Sequence, residues 1–171
     1  MTSTRLGLAA ATLTLALPLA PALLAPTAQA ASTADPCEIT GTVITGTAGD
    51  DVLEGTPGSD IIFGLGGHDV INGNGGADLV DGGGGRDTIT GGAGDDCLSG
   101  GAGDDVISGG KGADHVWGGN GDDDLYGGKG FDELDGGKGD DYADGEGSDN
   151  YCTTSETVAK VKYRMGDVTL C

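Results

Sequence analysis

The sequence has few aromatic residues and little positive charge. Of its 171 residues only 4% are aromatic, and 8 Lys and Arg stand against 28 Asp and Glu, for a formal net charge of -20. So few large side chains argue against an ordinary packed interior. The negative charge repels phosphate backbones and anionic lipid surfaces, which makes nucleic acid a poor partner. Such a chain is either disordered or neutralised by cations.

Long apolar segments are absent except for one at the N-terminus. Arg5 precedes a Leu- and Ala-rich stretch over residues 6–25, and residues 28–30 offer the small side chains of a cleavage site. Residues 1–30 are therefore predicted to be a signal peptide. A membrane anchor is the alternative, but three prolines interrupt the stretch. We expect a secreted, extracellular mature chain without a membrane span.

Glycine is abundant, with 37 residues, and most of it follows a nine-residue period. Eleven units run without insertion over residues 46–144, among them GGAGDDVIS and GGKGADHVW. In every unit positions one and four are Gly, position six is Asp and position eight is aliphatic. A flexible linker would scatter these residues without phase. The period therefore predicts a repeat architecture.

Each unit divides into a turn at positions one to six and a short strand at positions seven to nine. Glycine at positions one and four permits positive φ and close backbone approach. In an extended strand, position eight points to one face and its neighbours to the other. Two units would complete one coil of an all-β solenoid. The predicted inward residues are Leu53, Ile62, Ile71, Val80, Ile89, Leu98, Ile107, Val116, Leu125, Leu134 and Ala143.

The aspartate at position six is the candidate metal ligand. Stacking would place Asp51, Asp69, Asp87, Asp105, Asp123 and Asp141 along one edge of the coil, and Asp60, Asp78, Asp96, Asp114 and Asp132 along the other. Carboxylate and carbonyl oxygens suit Ca²⁺, which accepts flexible geometry, better than Mg²⁺. Without cations each column is a ladder of like charges. We expect several Ca²⁺ ions, bound as the chain folds.

These units fit the pattern G-G-x-G-x-D-x-U-x, and residues 46–144 resemble the RTX, or haemolysin-type, calcium-binding proteins. The resemblance implies a parallel β-roll in which the position-six aspartates and turn carbonyls hold calcium. Four early units depart from it at position two, with Thr47, Thr56, Leu65 and Asn74. That position would contribute a carbonyl, so the ligand set is expected to stay intact.

The segments that flank the repeats are predicted to cap the roll. Residues 31–45 form the N-terminal cap, with Ile44 inward, and residues 145–171 the C-terminal one. An oxidising location favours disulfides among the four cysteines, which lack zinc-site spacing. Cys152 and Cys171 could staple a C-terminal hairpin, whereas Cys37 and Cys97 lie several coils apart, so the pairing stays open.

The predicted function is that of an extracellular, monomeric calcium-binding structural or interaction module, whose protein or surface partner the sequence does not identify. An ice-binding or adhesive solenoid is the alternative, but it would favour a regular outward Thr or Asn array. An enzyme would need a nucleophile and base in a cleft, and no such constellation is visible. His68 and His115 have no partner histidines and are interpreted as surface residues.

Overall fold

Short strands recur every nine residues along the chain. The computed structural model describes residues 37–146 and the backbone of residues 151–153. The thirteen strands of these residues are β1 (Thr42–Thr45), β2 (Val52–Glu54), β3 (Asp60–Phe63), β4 (Val70–Asn72), β5 (Leu79–Gly84), β6 (Thr88–Ala93), β7 (Cys97–Ala102), β8 (Val106–Lys111), β9 (His115–Asn120), β10 (Asp124–Lys129), β11 (Glu133–Lys138), β12 (Tyr142–Asp144) and β13 (Tyr151–Thr153).

Odd and even strands form two separate parallel sheets. The first has seven strands in the order β1-β3-β5-β7-β9-β11-β13, and the second has six in the order β12-β10-β8-β6-β4-β2. Each residue pairs with the residue 18 positions later, as Ile44 with Ile62 and Val80 with Leu98. Two nine-residue units therefore make one coil. The predicted parallel β-roll is confirmed.

The interior is a single row of aliphatic side chains from each sheet. Position eight is buried from Ile62 to Ala143, and Ile44 and Leu53, at the N-terminal end of the described coils, are partly buried. All eleven side chains predicted to point inward thus belong to the core or pack against it. Because each nine-residue unit gives this core one side chain, the burial of apolar surface per residue is small.

The turns use glycine at positions two and four for left-handed backbone. Gly83 and Gly85, at positions two and four of the fifth unit, have φ of 99° and 135°. Leu65 and Asn74 adopt the same conformation at position two, with φ of 78° and 72°. The expectation of positive φ at position one was wrong, since none of the position-one glycines has it. These glycines instead lie against the position-six carboxylates of their own units.

A second apolar cluster lies on the outer face of the first sheet. It contains the buried residues Ile61, Leu79 and Cys97, which occupy position seven of their units, together with Cys37 and Ile39. Residues 37–41, here called the strap, thus cover the outside of β3 and β5. A disulfide between Cys37 and Cys97 fixes the strap to β7, with the Cα atoms 5.7 Å apart. This is one of the pairings that the sequence left open.

The C-terminal predictions fall mostly outside the described residues. The predicted C-terminal hairpin and Cys171 lie there, as does the predicted signal peptide. Only Gly145, Glu146 and the β13 backbone, which pairs with β11, belong to the predicted C-terminal cap. Among the described residues, no helix is long and apolar enough to cross a lipid bilayer.

Candidate metal centre

The position-six aspartates form two columns, one along each edge of the roll. Each lies at the end of a turn, at or just before the start of a strand. Hydrogen bonds between residues 18 apart link the members of each column, from Asp51 to Asp141 and from Asp60 to Asp132. The grouping of the eleven predicted residues into these two sets matches the expected arrangement. Every member except Asp51 is buried.

From Asp69 and Asp78 onward, one oxygen of each carboxylate belongs to a ladder of hydrogen bonds. The backbone amide of Asp87 donates to Oδ1 of Asp105 at 2.8 Å, and the amide of Asp105 donates to Oδ1 of Asp123 at 2.8 Å. The other edge repeats this arrangement, for example from Asp78 to Asp96 at 2.9 Å. Each of these aspartates therefore ties its own coil to the preceding one, and its side chain is fixed in orientation.

The second oxygen is buried and has no donor. This holds for Oδ2 of Asp69, Asp78, Asp87, Asp96, Asp105, Asp114, Asp123 and Asp141. A buried carboxylate oxygen without a partner loses its hydration and gains nothing in return, which costs about 1–3 kcal/mol or more. Repetition along both columns multiplies this cost. Either a proton or a bound cation would remove this cost at each such oxygen.

The position-one glycines keep the space beside these oxygens clear. A Cβ added to Gly82 would lie 2.6 Å from Oδ2 of Asp87 and 2.7 Å from the carbonyl oxygen of Gly100. Gly91, Gly100 and Gly109 are in equivalent positions in their units. A carboxylate oxygen and a backbone carbonyl oxygen thus border the same small space, which any side chain at position one would fill.

This donor set fits calcium. Among the described residues, no group of three or more His, Cys, Asp or Glu side chains converges in the manner of a metal site built from side chains. A cation here would therefore be held by carboxylates together with backbone carbonyls. Hard oxygen donors in a flexible arrangement are the ligands that Ca²⁺ prefers.

Burial makes these carboxylates hard to ionise in the absence of a cation. It raises the pKa of Asp96 and of Asp123 to about 7, and repulsion from neighbouring aspartates adds to the rise. Burial likewise raises the pKa of Asp78, Asp105 and Asp114 to about 6. The hydrogen bond from a backbone amide to Oδ1 lowers the pKa, but by less than burial raises it. A cation that compensates the charge would restore the ionised form.

A second ladder, at position five, lies on the outside of the turns. The amide of Arg86 donates to Nδ1 of His68 at 2.7 Å, and the amide of Asp122 donates to Oδ1 of Asp104 at 3.1 Å. At position five the side chain accepts a hydrogen bond from a backbone amide of the following coil. At position six it accepts one from the preceding coil, so the two ladders run in opposite directions. His68 thus has a structural partner at the surface. Sequence reasoning missed this ladder, although most units carry an acceptor such as Asp or Ser at position five.

A charged contact lies within this outer ladder. Arg86 pairs with Asp104 at 2.8 Å, and both side chains are largely exposed. The amide of Asp122 and the guanidinium of Arg86 together lower the pKa of Asp104. His115, the other histidine, stacks on Trp117 and faces Glu133 across the first sheet. His68 is exposed, as predicted, whereas His115 is half-buried.

The family model of the RTX calcium-binding nonapeptide repeat matches this chain in four copies. They cover residues 45–80, 72–107, 99–134 and 126–155, and successive copies overlap. Together they span every position-six aspartate. No curated protein and no solved structure shows a significant match to the chain.

Proposed function

The chain belongs to the RTX calcium-binding nonapeptide repeat family, and from this premise we propose that it is a secreted protein that folds as it binds several Ca²⁺ ions. In its folded state it would serve outside the cell as a structural or interaction module. The role is a non-enzymatic one, because the repeated glycines and aspartates build the turns of a calcium-binding repeat.

A single observation carries the proposal: the buried Oδ2 atoms that have no donor. A protein that folded without metal would gain by replacing these carboxylates with neutral side chains, since buried unpaired oxygens oppose folding. The unbroken repetition of Asp at position six is instead what a cation-binding column requires. Calcium, when bound, would supply the positive charge that neutralises each column.

The proposed ligands are side-chain and backbone oxygens of the turns. The carboxylates are those of Asp69, Asp78, Asp87, Asp96, Asp105, Asp114, Asp123, Asp132 and Asp141. The carbonyl oxygens of position-one glycines such as Gly100 border the same spaces. Asp51 and Asp60, the first predicted ligands of the two columns, differ from the others because a threonine of the same turn donates to Oδ2 of each.

Coupling between calcium and folding follows from the thin core and the charge. One aliphatic side chain per unit gives little apolar burial to oppose the entropy of ordering the chain. The two columns add repulsion between stacked carboxylates. Because the binding spaces form only when coils stack, ion binding and coil stacking should occur together.

Secretion is supported by two features. The N-terminal segment has the pattern of a signal peptide, and the Cys37–Cys97 disulfide suits an oxidising compartment. The adhesive or ice-binding alternative has less support, because the outward row at position seven of the second sheet is irregular. That row runs Val52, Val70, Thr88, Val106, Asp124 and Tyr142.

Circular dichroism in the far ultraviolet tests the proposal directly. The full chain, freed of calcium with a chelator, is titrated with CaCl₂ and in parallel with MgCl₂. We expect a cooperative change from coil to β-structure with calcium and a much weaker response to magnesium. Full β-structure in the chelator would contradict folding on calcium binding, and an equal response to both ions would contradict the selectivity.

A further inference from the structure

The first two units of the roll satisfy their aspartates internally. The amide and the hydroxyl of Thr47 donate to Oδ2 of Asp51 at 2.6 and 2.9 Å. Thr56 donates to Oδ2 of Asp60 in the same way, at 2.6 and 3.0 Å. Oδ2 therefore has two donors in these units, whereas the Oδ2 atoms of Asp69 and Asp78, next in the two columns, have none.

The backbone of these two turns also differs from the rest. From the third unit onward, positions two and four have positive φ, beginning with Leu65 at 78° and Gly67 at 115°. Thr47 and Thr56 do not adopt this conformation, and neither do the position-four glycines of their units. The threonine hydroxyl oxygen instead accepts a hydrogen bond from the position-four amide, for example from that of Gly49 at 3.2 Å. The position-two amide is thereby aimed at the carboxylate.

We propose that Thr47 and Thr56 take the place of calcium at the first two units. Asp51 and Asp60 are then structural acceptors within their own turns, and the calcium ligands of the two columns begin at Asp69 and Asp78. The charge-assisted hydrogen bonds from each threonine supply part of what a cation supplies elsewhere. This inference rests on the proposed function, because it assigns which aspartates bind the metal.

The arrangement suits the end of a roll. These are the first two of the repeats, and before them the only strand among the described residues is β1, which pairs with β3 at Thr42 and Asp60. Asp51 is only half-buried at this end, so its carboxylate keeps partial contact with water. Two threonine-closed turns would let the terminal coil keep its shape with fewer ions, as the end units of solenoids differ from internal ones.

Counting bound ions tests the inference. The full chain is equilibrated with CaCl₂, and calcium per chain is measured by equilibrium dialysis with elemental analysis. D51N/D60N removes the two aspartates in question, and D69N/D78N removes the next pair in the same two columns as a matched control. We expect D51N/D60N to bind as many ions as the wild type and D69N/D78N to bind fewer. Equal losses from both variants would overturn the inference.

A second variant decides the matter if an aspartate variant fails to fold, as judged by circular dichroism in saturating CaCl₂. T47G/T56G restores glycine at position two, so both turns can adopt the backbone of the later units. We expect this variant to gain bound ions over the wild type, and an unchanged count would overturn the inference. A wild-type chain that binds no calcium would instead contradict the proposed function on which the inference rests.

Discussion

At the scale of single residues, the aspartate at position six and the glycine at position one act as a pair. Oδ1 is held by an amide from the preceding coil, and Oδ2 faces the space that the glycine leaves open, as in Asp87 and Gly82. The sequence places these residues five positions apart in every unit. Glycine at position one is thus required by the carboxylate that it faces and not by its own φ.

A methyl group at position one should therefore disturb the site. We expect Gly82→Ala to lower the free energy of unfolding in saturating calcium by about 1–3 kcal/mol, because its Cβ would crowd Oδ2 of Asp87. Gly84→Ala is the matched control in the same unit, since nothing lies within 4 Å of its added Cβ. Urea unfolding of both variants, and the calcium midpoint of each, measure the difference. Equal effects at the two positions would contradict the pairing.

Protons should compete with calcium for the same carboxylates. Burial raises the pKa of Asp96 and of Asp123 to about 7 in the fold, above the value of 3.8 for an exposed aspartate. A raised pKa in the folded state means that the calcium-free fold loses stability as pH rises from 3.8 toward 7, and regains it as pH falls. In saturating calcium the direction should reverse near and below pH 7, because protons displace the ion.

Circular dichroism over this pH range checks both directions. The calcium-free chain should show more β-structure at the acidic end than at neutral pH, and the calcium midpoint should rise as pH falls. A calcium-free spectrum that did not change with pH would mean that the buried carboxylates do not limit folding.

At the scale of elements, two ladders of opposite direction and one strap hold the strands together. Position-six carboxylates accept from the preceding coil, and position-five side chains accept from the following coil. The strap adds apolar contacts that do not repeat, through Cys37 and Ile39 on the outer face of β3 and β5. The repeating contacts set the spacing of the coils, while the strap joins particular coils to each other.

Removal of the disulfide should release the strap. We expect C37S/C97S to lower the free energy of unfolding in saturating calcium by about 2–5 kcal/mol, as loss of a native disulfide typically does. Trp117, the only tryptophan of the chain, packs against the cluster beneath the strap, so its emission should shift to longer wavelength. Urea unfolding followed by tryptophan fluorescence measures both effects. Unchanged midpoint and emission would show that the strap holds without the disulfide.

At the scale of the whole molecule, the period determined most of what could be predicted. Because strand and turn repeat every nine residues, the two sheets, the 18-residue register and the inward side chains from Leu53 to Ala143 follow from the spacing. The strap could not be predicted in this way, since a periodic surface offers similar positions on every coil. Apolar residues at position seven do not locate it, because the first sheet has Ile61, Leu79 and Cys97 there and the second has Val52, Val70 and Val106.

The candidate site was predictable to the same extent. Membership of the two aspartate columns depends only on the period, and the structure groups those residues as expected. The hydrogen bonds that distinguish Asp51 and Asp60 were not predicted, because position two was expected to contribute only its carbonyl to the ligand set. Their hydroxyls and the altered backbone of their turns became relevant only once the position of Oδ2 was known.

The net charge of -20 raises the question of whether calcium acts by occupying sites or by screening repulsion. Sodium chloride distinguishes the two, because about 0.5 M salt shortens the Debye length to roughly 4 Å and weakens repulsion between exposed charges. It supplies no divalent ligand to the buried Oδ2 atoms. We therefore expect about 0.5 M NaCl in chelator to leave the chain unfolded by circular dichroism, whereas millimolar CaCl₂, about 1–10 mM, folds it. Folding in sodium chloride alone would show that general screening is sufficient, and that the buried aspartates need no specific ion.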